Sequence, residues 1–139
     1  MTEDQLEQEA LGWLAEVGYS PLFGPDIACD GERPERGSYQ QVILADRLRA
    51  AVDRLNPSIS AAARADAVKQ VLDLGIPALL SANRHFHKLL LGGVPVEYQK
   101  DGETRGDFVR LIDWADPQRN EWLAINQFSI KGPHHTRRP

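Results

Sequence analysis

The chain predicts an α+β fold, a helical layer packed on a mostly antiparallel sheet, and three observations predict it. Apolar residues recur at helical spacing up to Gly92-Gly93, the period then changes to alternation, and Asp101-Gly102 stands between two alternating runs as a hairpin turn. A length of 139 residues suits one compact domain, so residues 1–139 are read as one. A net charge of -4 and a pI near 5.5 exclude a whole-chain basic field for nucleic acid. Any DNA contact must be local or supplied by another part of a larger protein.

The first helix is expected over about residues 3–17. Thr2 and Gln5 form a capping-box pattern, and Leu6, Ala10, Trp13, Leu14 and Val17 make an apolar stripe that stops at Gly18. Glu7 falls between Leu14 and Leu11, on the arc of that stripe, at about 100° per residue. A carboxylate there either sits at the rim of the stripe and reaches water or is aimed into a polar cleft, and the residues alone leave both open. Residues 19–37 are rich in Pro and Gly and predict a short extended piece at Leu22-Phe23 followed by a long loop. In that loop Arg33 and Arg36 alternate with Glu32 and Glu35, a pattern that reads as solvated and charge-balanced.

Helices are expected over residues 39–55, ended by Asn56-Pro57, over 61–74 behind the Ser60 cap, and over 77–91 behind Pro77. Strands follow at about 94–100, 107–114 and 121–131, forming an antiparallel meander. In the third, Leu123, Ile125, Gln127 and Ser129 are expected to oppose Trp122, Ala124, Asn126, Phe128 and Ile130.

Chemistry-bearing residues are sparse. His85 with His87, and His134 with His135, lack the three- or four-residue spacing of helical metal ligands, and no cysteine accompanies them. The chain has no phosphate-binding loop, dinucleotide fingerprint or nucleophile elbow. The single cysteine, Cys29, excludes an internal disulfide, and no apolar run approaches the roughly 20 residues of a membrane span. With no secretion-signal pattern, the cytoplasm is the expected location. Lys131, Arg137 and Arg138 with the two histidines make the one basic stretch, and Arg137 and Arg138 are its candidate DNA contacts.

Three segments together carry a family likeness: TEDQLEQEALGWLAEVGY at the start, HFHKLLLGGVPVEYQKDGETRGDFVRLIDW in the middle and NEWLAINQFSIKGPHHTRRP at the end. They resemble the N-terminal nuclease domain of the restriction (R) subunit of type I restriction-modification enzymes. The resemblance implies a PD-(D/E)xK nuclease fold, in which a helix-one acid, an Asp opening one strand and a Glu-x-Lys closing the next converge on Mg²⁺. In that family the Arg-Pro ending is followed directly by the Asp. Glu7 matches the helix-one acid and so becomes the candidate catalytic and metal-binding residue, with Glu3 one turn earlier as the fallback. Asn126 and Gln127 match the family's strand wording and are expected to support the centre.

No Glu-x-Lys occurs in the chain. Asp107 and Asp113 lie in the earlier hairpin and are not candidates for the missing acid. The expectation is therefore an incomplete PD-(D/E)xK fold, truncated before the Asp and the Glu-x-Lys and lacking activity alone. Its parent would be an ATP-dependent DNA translocase and Mg²⁺-dependent endonuclease partnered by modification and specificity subunits, with the ATP site elsewhere. The alternative is a non-catalytic binding or anti-restriction decoy that uses the front half of the same fold.

Overall fold

The computed structural model describes residues 1–139. The chain folds as two compact units, Met1–Leu44 with Glu121–Pro139, and Ala45–Asn120. Helices and strands are mixed, as the α+β reading requires.

The unit Ala45–Asn120 holds three helices, α3 (Ala45–Leu55), α4 (Ala61–Leu72) and α5 (Leu79–Gly92), and a hairpin of β2 (Val94–Lys100) and β3 (Glu103–Val109). The Ser60 hydroxyl accepts from the Ala63 N–H and caps α4. Val52, Leu55, Ala67, Val68 and Val71 from the helices and Val94, Val96 and Val109 from the hairpin form the buried core. The alternation of β2 explains this: Val94 and Val96 face the core while Pro95 and Glu97 face solvent. Asp101 and Gly102 both take positive φ, 54° and 80°, the primed turn that an Asp-Gly pair favours.

The expected return strand over 107–114 ends earlier, at Val109. The buried Asn56 side chain takes over there, accepting from Arg110 N at 2.8 Å and donating to Arg110 O at 2.8 Å and Val52 O at 2.9 Å. Beyond it the chain wraps around Asp113. Its carboxylate accepts from the N–H groups of Ala115 and Asp116 and from Arg119, while Asn120 bonds both the N–H and the C=O of Asp113. The Asp116 N–H, with help from Arg110, Ala115 and Arg119, holds this carboxyl below the ordinary aspartate range despite its burial.

The other unit contains α1 (Glu3–Glu16), β1 (Ser20–Phe23), the short helix α2 (Gly24–Ile27), β4 (Leu123–Asn126), β5 (Ile130–Lys131) and β6 (Thr136–Arg137). Here the expected three-stranded antiparallel meander is corrected. Its third strand does not extend the β2–β3 hairpin: β4 pairs in parallel with β1, in the register Ser20 with Leu123 through Phe23 with Asn126. The extended piece at Leu22-Phe23 had a partner that local pattern does not reveal. β5 and β6 form a separate antiparallel pair.

The helix expected over 39–55 starts only at Ala45. Tyr39 itself is committed elsewhere: its carbonyl accepts from Lys131 N at 2.8 Å and from Arg36.

Candidate functional site

The capping box of α1 sets the position of Glu7. Thr2 Oγ1 accepts from Gln5 N, and Gln5 Oε1 accepts from Thr2 N, so the helix starts at Glu3 and Glu7 lies in its second turn. The expected apolar stripe is not the buried face. Leu6, Trp13 and Val17 are 53%, 61% and 74% exposed, and of that stripe Ala10 alone shares the half-covered side of α1, with Glu7 and Leu11. That side meets β1 and β4.

β4 supplies the partners. Asn126 Nδ2 donates to Glu7 Oε2 at 3.0 Å, and Gln127 Nε2 donates to Glu7 Oε1 at 2.5 Å. An ionised carboxylate only accepts, so each amide must present its nitrogen.

Adjacent residues of an unbroken strand point to opposite faces, and the sequence pattern placed Asn126 and Gln127 so. The structure corrects this. Gln127 adopts φ 53°, a left-handed conformation uncommon for a residue other than glycine, which ends β4 and turns both amides onto one acid. Gly24 makes room for the turn: a Cβ on it would lie 2.6 Å from Gln127 C and 2.7 Å from Asn126 O. No side chain fits there.

Arg36 overturns the expectation of a solvated loop. Only 4% exposed, it donates from Nη1 to Ser129 O at 2.7 Å and from Nη2 to Tyr39 O at 2.9 Å. Its guanidinium lies 4.1 Å from the centroid of the Phe128 ring and 5.6 Å from that of Tyr39. Its Nε is buried without a hydrogen-bond partner. The Tyr39 hydroxyl donates to Asp30 at 2.7 Å, and that bond raises its pKa above the ordinary tyrosine value. Arg33 and Glu32 are exposed as expected. No local signal marks Arg36, since the groups that hold it lie in residues 128 and 129.

The remaining candidates are dispersed. Glu3 is exposed in the first turn of α1, and Asn126 and Gln127 bond Glu7 rather than Glu3. Arg137 and Arg138 are exposed, Arg137 in β6 opposite Ile130. The tail folds back beyond β6, where Phe128 N donates to Pro139 O at 3.0 Å. His85 and His87 lie on α5, and His134 and His135 are exposed.

No group of three or more His, Cys, Asp or Glu side chains is arranged to hold a metal ion. Glu7 offers one hard anionic ligand, whereas Mg²⁺ takes near-octahedral oxygen coordination. The residues present do not complete a magnesium site. No helix is long and apolar enough to cross a membrane.

The family model for the N terminus of the type I restriction enzyme R protein matches residues 1–139. The chain belongs to this family. It is 34% identical over 131 residues to the type I restriction enzyme HindI endonuclease subunit of Haemophilus influenzae. It is 31% identical over 132 residues to a putative type I restriction enzyme MjaIXP endonuclease subunit of Methanocaldococcus jannaschii. Each alignment takes in 94% of this chain and 12% of the relative, so the chain spans about an eighth of the length of these endonuclease-subunit relatives. No solved structure matches.

Proposed function

We infer that this chain is the part of a type I restriction enzyme R subunit that supplies the helix-one acid of a PD-(D/E)xK-like DNA nuclease centre. The observation that carries the reading is the convergence of Asn126 and Gln127 on Glu7, which holds a carboxylate of α1 at the end of a parallel strand. The bond from Phe128 N to Pro139 O supports it, because it brings the Arg-Pro ending beside the Asn-Gln turn. In the family this chain resembles, the metal-binding Asp follows that ending directly.

Glu7 would supply one ligand to a Mg²⁺ whose other ligands lie outside these residues, and the chemistry such an ion supplies is Lewis-acid activation of a phosphate and of water. The chain's own contribution is positional. Two neutral amides fix the orientation of the Glu7 carboxylate without neutralising its charge, which leaves its remaining lone pairs free for a cation. The parent would cleave DNA after ATP-driven translocation, in a complex with modification and specificity subunits, and this chain alone would be inactive. Arg137 and Arg138, exposed on the tail, would contact the phosphate backbone.

Plasmid cleavage tests the reading. An R subunit carrying this sequence, assembled with its partner subunits and given ATP, should cleave with Mg²⁺ and stop on chelation, while the 139-residue chain leaves the plasmid supercoiled. Cleavage that persists without divalent metal, or nicking by the chain alone, contradicts it.

A further inference from the structure

We propose that Arg36 is a positioning residue for the Glu7 acid, acting through the left-handed turn at Gln127. The proposal rests on the reading of Glu7 as a functional acid. It concerns what keeps that acid's partners in place.

A non-glycine residue at φ 53° is sparsely populated and persists only where its surroundings over-determine it. On one side of Gln127, Gly24 allows β1 and α2 to come close enough to back the turn. On the other, Arg36 holds the two residues that follow: its guanidinium stacks on the Phe128 ring and its Nη1 bonds Ser129 O. Through Nη2 the same group bonds Tyr39 O, and Lys131 N bonds that carbonyl too. The chain on either side of Gln127 is thereby pinned.

Asn126 differs from Gln127 in what supports it. It lies within β4, in register with Phe23 of β1, and the strand ladder holds it. Gln127 lies outside the ladder, so its amide depends on the clamp.

The burial of Arg36 fits this role. A guanidinium taken out of water is costly unless its donors are met, and Nη1 and Nη2 meet the carbonyls of Ser129 and Tyr39. Arginine suits the position because its planar fork reaches two carbonyls on separate segments while its face stacks on a ring. A lysine has neither the fork nor the face.

NMR of the side-chain amides of this chain tests the proposal, with Glu7→Ala as the reference for lost contact, since alanine leaves neither amide an acceptor. In Arg36→Met the Gln127 side-chain amide should move to its Glu7→Ala position, and in Arg36→Lys part of the way. The Asn126 amide should keep its wild-type shift in both. Retention of both amide shifts in Arg36→Met would overturn the proposal. Joint loss of both amides would do the same, as would loss of the folded spectrum in both variants, since either makes Arg36 a general support of the fold. No cleavage step enters this readout. Arg36 can fail here while Glu7 proves essential for cleavage, and Glu7 can prove dispensable for cleavage while the clamp is upheld.

Discussion

The carboxylate of Glu7 accepts a 3.0 Å hydrogen bond from the side-chain amide of Asn126, 119 positions further along the chain. Gln127 bonds the other carboxylate oxygen, so an acid of the first helix and a polar pair at the end of β4 form one unit. These part-buried bonds to a charged acceptor make a modest contribution to stability. Glu7→Ala is expected to lower the unfolding free energy by about 1 kcal/mol. A double-mutant cycle with Asn126→Ala in urea should show the two losses to be non-additive, and full additivity would mean that the bond does not form in solution.

Gly24→Ala should cost more, although it removes nothing. The added methyl meets backbone atoms of Asn126 and Gln127 at 2.7 and 2.6 Å, and backbone cannot rotate aside as a long side chain can. A loss of about 2 kcal/mol is expected, together with displacement of the Gln127 amide from Glu7. Urea unfolding and the amide spectrum check both parts, and wild-type stability in Gly24→Ala would mean that the close approach is absent.

Asn56 is expected to give the largest loss in the Ala45–Asn120 unit. Its side chain completes the pairing of Arg110 where β3 has ended, so Asn56→Ala strands the part-buried N–H and C=O of Arg110. The expected cost is about 2 to 3 kcal/mol. A change within experimental error in urea unfolding would show that water replaces the amide at no cost.

Asp113 gives a pH dependence whose sign is determined. Its folded-state pKa lies below the unfolded value of 3.8, chiefly through the Asp116 N–H. The folded chain therefore favours the ionised form. The stabilisation is fully present above the unfolded pKa and disappears as pH falls through the folded one. Urea midpoints followed from pH 6 down to about pH 2 should fall less steeply in Asp113→Asn than in wild type, from a lower starting value. Parallel acid limbs would place the pH sensitivity elsewhere.

What the sequence made legible is what neighbouring residues decide. Thr2 with Gln5 marks the start of α1, Ser60 the start of α4, and Asp101-Gly102 the hairpin turn, because each device closes within a few residues. The arc of Glu7 was readable for the same reason. The periodicity of α1 nonetheless misled about its covered side, since Leu6, Trp13 and Val17 are exposed while the side carrying Glu7 meets the strands. Pairings across long stretches left no local trace. β1 finds β4 about a hundred residues away, Asn56 finds Arg110, and Arg36 finds Phe128 and Ser129. Alternation also misplaced Gln127, because a single left-handed residue reverses the face that a strand pattern assigns.

Cleavage by an assembled enzyme whose R subunit carries Glu7→Gln tests the central claim most directly. The substitution keeps the size of the side chain and removes its charge. If Glu7 is the helix-one acid, DNA cleavage should fall by at least about 100-fold while DNA-stimulated ATP hydrolysis stays within about twofold of wild type, a loss confined to the chemical step. Cleavage at the wild-type rate would contradict the account and leave Glu7 as a structural partner of Asn126 and Gln127.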